Sequence, residues 1–174
     1  MNDINIDGYC KEILWYSTKR EDGTYRIPIV LDFDFTCTKD SSWLEGTWLE
    51  NPHCFETLKK WINLGCVFIL DTMRGEDNIQ PAVDWLSENG IELYGIGLNP
   101  DQCYEEGCST KAWGIFDIDD RNVPSFLVHE KGKRPYVDWK LTDNYLTPIL
   151  EKIVNRLPQL EKSVIDKKEE VYSE

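Results

Sequence analysis

The apolar run over residues 27–31, which leads directly into Asp32 and Asp34, constrains the fold of this chain more than any other stretch. Such a run of aliphatic and β-branched residues is typical of a buried strand in a parallel sheet. Functional residues in such sheets follow the carboxyl ends of the strands. We therefore expect both carboxylates at that edge, on the same side of the pleat if the extended geometry continues. Two acids so close together repel each other unless a cation or a proton intervenes.

Further apolar runs alternate with stretches of helical spacing. Residues 66–70, 91–96 and 113–118 predict three more strands, and residues 135–137 predict a fifth. The expected helices lie within 51–65, 77–90 and 147–158, with Asn51, Asp77 and Thr147 as N-caps. Alternating strands and helices predict an α/β fold, a doubly wound, Rossmann-like parallel sheet flanked by helices.

The chain is expected to form one α/β domain over residues 27–158. Residues 1–26 are interpreted as an N-terminal extension. In it, the β-prone run 13–17 either pairs with residues 25–31 as a hairpin or forms a single helical turn. Residues 159–174 are rich in charge, which predicts a C-terminal tail that frays or stays disordered.

Charge and cysteine content limit the partners and the compartment. A net charge of -13 disfavours nucleic acids and anionic membranes as partners. No apolar run approaches the roughly 20 residues that span a bilayer. The six cysteines lack the C-x-x-C spacing of a zinc site. The segment 1–3 is acidic and polar, unlike a secretory leader, so we expect a cytoplasmic protein with reduced thiols.

Polar side chains at or near the ends of the predicted strands are expected to meet at one edge of the sheet. They are Asp32, Asp34, Thr72, Lys111, Asp119 and Asp120. Four carboxylates at one edge are strongly destabilising unless a cation binds them, and oxygen ligands with open positions suit Mg²⁺. A divalent cation, an ammonium and a hydroxyl that converge on an anion are typical of a phosphoryl site.

The order of these residues resembles the four motifs of the haloacid dehalogenase-like (HAD) phosphohydrolases. The matching positions are Asp32-x-Asp34-x-Thr36 after the first strand, Thr72 after the second, then Lys111, and the pair Asp119-Asp120 after a later strand. The resemblance extends over residues 27–125. It implies a phosphatase that hydrolyses a phosphomonoester, with a small phosphorylated molecule as its substrate.

The resemblance also implies a role for each matched side chain. Asp32 would attack phosphorus and form an aspartyl-phosphate. Asp34 would protonate the leaving oxygen and then activate the water that hydrolyses the intermediate. Thr72 would donate a hydrogen bond to the phosphoryl group, and Lys111 would offset the charge of the nucleophile and the phosphate.

The same resemblance implies how Mg²⁺ is bound. The ligands would be the Asp32 carboxylate, the backbone carbonyl of Asp34 and a carboxylate of the acidic pair. We favour Asp119 as the direct ligand, with Asp120 bound directly or through water.

Two features set this chain apart within that family. Residues 37–51 are all that separates the first motif from the next helix, so we expect no large cap domain and an open site. Phe35 stands where the family often has glycine, which tolerates unusual backbone angles. Its ring is expected to crowd the pocket or shield it from water. Arg74 and Arg121, near the site edge, would either steer an anionic substrate or pair with neighbouring acids.

Other functions fit the same residues. A nucleotidase or a polynucleotide 3′-end phosphatase would use the same chemistry, although the negative charge disfavours long nucleic acids. A receiver-type signalling domain also combines aspartates, threonine and lysine, but its acidic pair precedes the phosphorylated aspartate, the reverse of the order here. A non-catalytic scaffold could keep the fold without the activity.

Overall fold

A computed structural model describes the chain at residues 4–40, 48–102, 111–122 and 126–172. Its helices are α1 (Ile6–Tyr16), α2 (Cys54–Asn63), α3 (Glu76–Glu88) and α4 (Trp139–Tyr172). Its strands are β1 (Ile27–Leu31), β2 (Cys66–Leu70), β3 (Leu93–Ile96), β4 (Phe116–Ile118), β5 (Leu127–Val128) and β6 (Tyr136–Val137).

The main sheet has four parallel strands in the order β3-β2-β1-β4. Leu31 of β1 lies opposite Leu70 of β2 and Ile118 of β4, so three strands end at the same level. The residues that follow these strands are therefore neighbours in space. The predicted α/β fold with a parallel sheet is confirmed, and the described residues contain no large cap domain.

Both faces of the central strand are buried, as its apolar sequence predicts. Ile29 and Leu31 belong to the main core, which they share with residues of the helices. Val30 points to the opposite face and packs with Ile69 and Ala112 in a smaller cluster. Burial on both sides fixes the strand and therefore the position of the acidic turn that follows it.

The predicted N-terminal hairpin is wrong, because residues 6–16 form helix α1. The Asn5 side chain caps this helix by accepting a hydrogen bond of 3.0 Å from the Gly8 backbone N–H. Cys10 and Ile13 are fully buried, and α1 packs along α4. The β-prone run 13–17 is only the end of a longer pattern with helical spacing, and burial of that face outweighs its local propensity.

The predicted start of the last helix is also wrong, since α4 begins at Trp139 and Thr147, the predicted N-cap, lies inside it. Asp138 caps it, with its Oδ1 accepting a hydrogen bond of 3.0 Å from the Leu141 backbone N–H. The Thr147 hydroxyl instead accepts a hydrogen bond of 2.8 Å from the indole N–H of Trp61 and donates to Asp143.

Helix α4 also continues past Pro158, where we expected a charged tail from residue 159. Proline in a helix interior normally removes a hydrogen bond and destabilises the helix. Here a buried apolar stripe spans both internal prolines, Pro148 and Pro158, and ties this part of the helix to the core. Its members are Leu146, Ile149, Leu150, Ile153, Leu157 and Leu160.

Other predicted boundaries shift by a few residues. Helix α2 begins at Cys54, and Asn51 is a buried residue whose amide donates to the carbonyls of Thr36 and Val137, both at 2.8 Å. Helix α3 begins at Glu76 with Gly75 as its N-cap, so the predicted N-cap Asp77 lies inside the helix.

The predicted strand at 135–137 is present as β6, which pairs with β5 in an antiparallel hairpin outside the main sheet. Cys10, Cys37, Cys54 and Cys66 are buried free thiols. No helix in the described ranges combines the length and apolar character needed to cross a bilayer.

Candidate metal centre

The carboxyl end of β1 leads into a tight turn. The Asp32 N–H still donates to the Ile118 carbonyl at 3.0 Å, which holds this residue beside β4. The chain then reverses, with the Cys37 N–H donating to the Phe33 carbonyl at 2.9 Å. The extended geometry therefore does not continue to Asp34, and the expected placement on one side of a pleat does not apply. The turn nevertheless directs Asp34 into the same cavity as Asp32.

Three carboxylates gather where β1 and β4 end. Single carboxylate oxygens of Asp32, Asp119 and Asp120 all lie within 4.8 Å of one another. Pairing of Leu31 with Ile118 brings the two strand ends side by side and produces this arrangement. The structure thus brings together the acids that the sequence placed at this edge, at a spacing that allows them to share one cation.

The carboxyl of Asp32 is the most perturbed acid of this cluster. The pKa of Asp32 is raised to about 7, mainly by burial and in addition by the charges of Asp119 and Asp120. The Phe33 backbone N–H and the Thr36 hydroxyl, which donates at 3.2 Å to Oδ2, oppose the increase in pKa. A cation among the three carboxylates would relieve the repulsion that favours the protonated form.

Asp120 is buried and paired with an arginine from outside the main sheet. Burial raises the pKa of Asp120, and the Arg134 guanidinium opposes that increase from 2.5 Å. The Asp120 backbone N–H donates at 3.2 Å to the Thr36 hydroxyl. The side chain of Asp119 accepts a hydrogen bond of 2.7 Å from the Arg121 N–H. Both acids of the pair are therefore held in place by neighbours.

Asp34 forms a bidentate ion pair with Arg74. The Arg74 Nε donates to Oδ2 at 3.0 Å, and its Nη2 donates to Oδ1 at 2.6 Å. The Arg74 side chain is 1% exposed. Of the two roles considered for Arg74, pairing with a neighbouring acid is the one found in the structure.

The acidic cluster lines a cavity of about 220 Å³. Its lining residues are Asp32, Asp34, Asp71, Thr72, Met73, Asp119, Asp120, Arg121 and Arg134. Thr72 is thus close to the carboxylates, as the sequence predicts. The exposed Arg121 also lines this cavity, and its Nη1 lies 3.0 Å from the Met73 sulfur.

Lys111 is the predicted site residue that the structure does not bring to this cavity. Its side chain is 75% exposed, and its Nζ lies 3.8 Å from Asp117 Oδ2. It lines a separate cavity of about 680 Å³ together with Trp15 and Trp113. The described cations closest to the carboxylates are instead arginines.

Two charged residues of the cavity received no role from the sequence. Asp71 directly follows β2, as Asp32 directly follows β1, so the rule that functional residues follow strand ends could have identified it. Arg134 lies between β5 and β6, and its pairing with Asp120 depends on how that hairpin packs against the sheet. The sequence contains no spacing signal for such a contact.

The donor set of the cluster consists of carboxylate oxygens. Such ligands suit hard cations such as Mg²⁺, Ca²⁺ and Mn²⁺ better than zinc or copper, which favour nitrogen and sulfur. Three carboxylates leave positions in an octahedral shell for water or a phosphate oxygen. The residues present therefore fit a magnesium ion.

Comparison with known proteins supports the fold. A solved structure described as that of a conserved protein from Bacteroides thetaiotaomicron is similar, with a TM-score of 0.55 and 26% sequence identity. The similarity covers 71% of this chain and 91% of that chain. No family model and no curated protein matches the sequence. The α/β fold is thus shared with a solved protein whose description names no activity.

Proposed function

We propose that this protein is a Mg²⁺-dependent phosphatase that hydrolyses a small phosphomonoester through an aspartyl-phosphate on Asp32. The observation that carries the proposal is the convergence of the Asp32, Asp119 and Asp120 carboxylate oxygens within 4.8 Å, in a cavity that Thr72 also lines. Resemblance of the sequence motifs to the HAD phosphohydrolases supports the same chemistry. The free, buried thiols support a reducing, cytoplasmic setting.

The candidate ligands of the ion are the Asp32 and Asp119 carboxylates and the backbone carbonyl of Asp34. Asp120, whose Oδ2 is bound to Arg134, would bind directly or through water. When bound, Mg²⁺ would offset the negative charge shared by the carboxylates and the phosphoryl group.

In the first step, an Asp32 oxygen forms a bond to phosphorus while the bond from phosphorus to the ester oxygen breaks. Asp34 first takes up a proton from solvent on a lone pair that Arg74 does not occupy, and the leaving oxygen then takes this proton as the alcohol departs. The Thr72 hydroxyl would donate a hydrogen bond to the phosphoryl group. The product of this step is an aspartyl-phosphate and an ionised Asp34.

In the second step, Asp34 takes a proton from a water molecule, whose oxygen attacks the same phosphorus. The bond from phosphorus to Asp32 breaks, inorganic phosphate forms, and both aspartates return to their initial states. The position of Asp34 in the same cavity as Asp32 supports this sequence of proton transfers.

A panel of phosphate monoesters, assayed with Mg²⁺ and with a chelator, tests the proposal. We expect Mg²⁺-dependent turnover by the wild type and none by Asp32→Asn. Asp34→Asn should accumulate a phosphorylated chain, detected as the mass of one added phosphoryl group, and release phosphate very slowly. Asp84→Asn, which changes an exposed acid on α3, is the matched control and should retain wild-type activity.

Equal turnover by the wild type and Asp32→Asn would exclude this mechanism. A wild-type chain that binds Mg²⁺ but hydrolyses no ester would be the non-catalytic scaffold.

A further inference from the structure

The guanidinium of Arg74 lies between an acid and an aromatic cluster. Its central carbon is 4.8 Å from the ring centroid of Phe33 and 5.0 Å from that of Trp48. These two rings contact each other edge to face, at 5.2 Å between centroids. Trp85 contacts both of them, at 5.6 Å and 5.9 Å. Interlocked rings thus support the guanidinium, while its N–H groups bind Asp34.

A charge as deeply buried as that of Arg74 needs specific compensation. Asp34 supplies the opposite charge and two hydrogen-bond acceptors, and the ring faces add a cation–π attraction. The planar guanidinium matches both requirements at once, because it can stack on rings and bind a carboxylate with two parallel N–H bonds. Lysine could not provide this combination.

The ion pair also fixes the direction of the Asp34 carboxylate. It connects the turn after β1 to the segment after β2, across 40 positions in sequence. The two Arg74 bonds occupy one acceptor site on each carboxylate oxygen, and an ionised carboxylate has about four such sites. The remaining sites are available in the cavity that Asp34 lines. Arg74 can therefore hold Asp34 without blocking it.

We propose that Arg74 is a positioning residue for phosphate ester hydrolysis, which holds the Asp34 carboxylate toward the leaving oxygen and the attacking water. The inference rests on the proposed function, because it assigns Asp34 to both proton transfers. Preorganisation of this kind matters, since a displacement of about 1 Å can cost on the order of 100-fold in rate.

Kinetics of Arg74→Ala test this role against a merely structural one. We expect kcat to fall by about 100-fold while KM changes by less than about threefold. Guanidinium ion at millimolar concentration should bind the vacated space between the rings and restore part of kcat. Arg74→Lys keeps the positive charge but loses the two parallel N–H bonds, so its kcat should lie between those of the wild type and Arg74→Ala. This variant replaces Arg74→Ala in the test if the alanine variant does not fold.

Arg156→Ala is the matched control. Arg156 also forms a bidentate pair, with Asp7 at 2.7 Å and 3.1 Å, but this pair joins α1 to α4 outside the cavity. We expect the control to keep the wild-type kcat and to show no response to guanidinium. Equal losses of kcat in Arg74→Ala and Arg156→Ala, or a folded Arg74→Ala with wild-type kcat, would overturn the proposal.

A measurement that needs no turnover separates this inference from the proposed function. In the wild type with Mg²⁺ and inorganic phosphate, NMR should show that the Arg74 Nε–H exchanges with solvent at least about tenfold more slowly than the Nε–H of the exposed Arg121. Asp34→Asn should abolish that protection. Rapid exchange in the wild type would refute the positioning role. Slow exchange without any ester hydrolysis would refute the proposed function but would still show that Arg74 holds the Asp34 carboxylate.

Discussion

The guanidinium of Arg134 lies over the ring of Phe35, 4.2 Å from its centroid. Phe35 has a φ of 60°, in the left-handed region that bulky residues rarely adopt. The same guanidinium pairs with Asp120, so Arg134 connects the turn after β1 to a candidate metal ligand. Phe35 thus occupies a position where glycine would adopt the same φ without steric strain, and its ring packs against the Arg134 guanidinium.

The backbone at Phe35 predicts an unusual order of stability. Phe35→Gly and Phe35→Ala both remove the ring, but only glycine adopts a positive φ without steric cost. We expect Phe35→Gly to be more stable than Phe35→Ala by about 1 kcal/mol, measured by urea unfolding. At Gln80, within helix α3, the order should reverse, with alanine the more stable. An alanine variant that equals or exceeds the glycine variant at Phe35 would contradict this explanation.

The gathering of the acids was predictable because the strands are strongly apolar. The apolar runs at 27–31 and 66–70 predict buried strands of a parallel sheet. Parallel pairing of β1 with β2 and β4 then brings Asp32, Thr72 and Asp119 together. The partners of these acids were not predictable. Arg74 and Asp34 are 40 residues apart, and their pairing depends on how the turn after β1 meets the segment after β2.

The helical ends show the opposite limitation. Thr147 and Pro148 form a local signal for the start of a helix. Burial of the apolar stripe of α4 nevertheless extends the helix both before and after these two residues. The same competition decides residues 13–17, where burial of Ile13 in a longer helix outweighs a short β-prone run. Local signals determine boundaries only where packing does not.

The raised pKa of Asp32 predicts that this residue destabilises the ion-free fold. Above its ordinary pKa of 3.8 the unfolded chain releases the proton, whereas the folded chain retains it up to about pH 7. Stability therefore falls as pH rises from about 4 to 7, and the penalty is fully present above pH 7. Its size is on the order of 2–4 kcal/mol.

Removal of that charge should accordingly stabilise the protein. In the presence of a chelator, we expect Asp32→Asn to unfold at higher urea concentration than the wild type at pH 8, with little difference at pH 4. Asp84→Asn should show no such pH-dependent gain, because Asp84 is exposed. A wild type as stable as Asp32→Asn at pH 8 would show that burial does not disfavour the carboxylate.

The same pKa predicts how Mg²⁺ binding depends on pH. In the proposed site the ion would bind the carboxylate, so below pH 7 its binding would have to displace the Asp32 proton. We expect the apparent affinity for Mg²⁺, measured by titration calorimetry, to rise by up to about tenfold per pH unit below pH 7 and to level off above it. Binding at pH 6 should release protons, visible as a heat that changes with the buffer. An affinity that is constant between pH 5 and 7 would contradict the shared site.

The position of Lys111 allows a test of whether this lysine stabilises the phosphoryl group in the proposed reaction. The HAD resemblance assigns it to the phosphoryl site, but in the structure its side chain is mostly exposed and lies 3.8 Å from Asp117. A group that stabilises the transferring phosphoryl typically contributes on the order of 100- to 1000-fold to kcat. With Lys111 outside the cavity, we expect Lys111→Met to lower kcat by less than about tenfold.

Lys60→Met provides the comparison, because Lys60 is also an exposed lysine paired with an aspartate, Asp143, and lies on α2. If Lys111→Met resembles this control, the lysine is not the cation that stabilises the transferring phosphoryl group. A loss in Lys111→Met that approaches 1000-fold would instead mean that the lysine moves into the cavity when the substrate binds. Comparison of Lys111→Met with Lys60→Met therefore decides whether the positive charge that acts on the phosphoryl group comes from the segment before β4, as the family pattern implies.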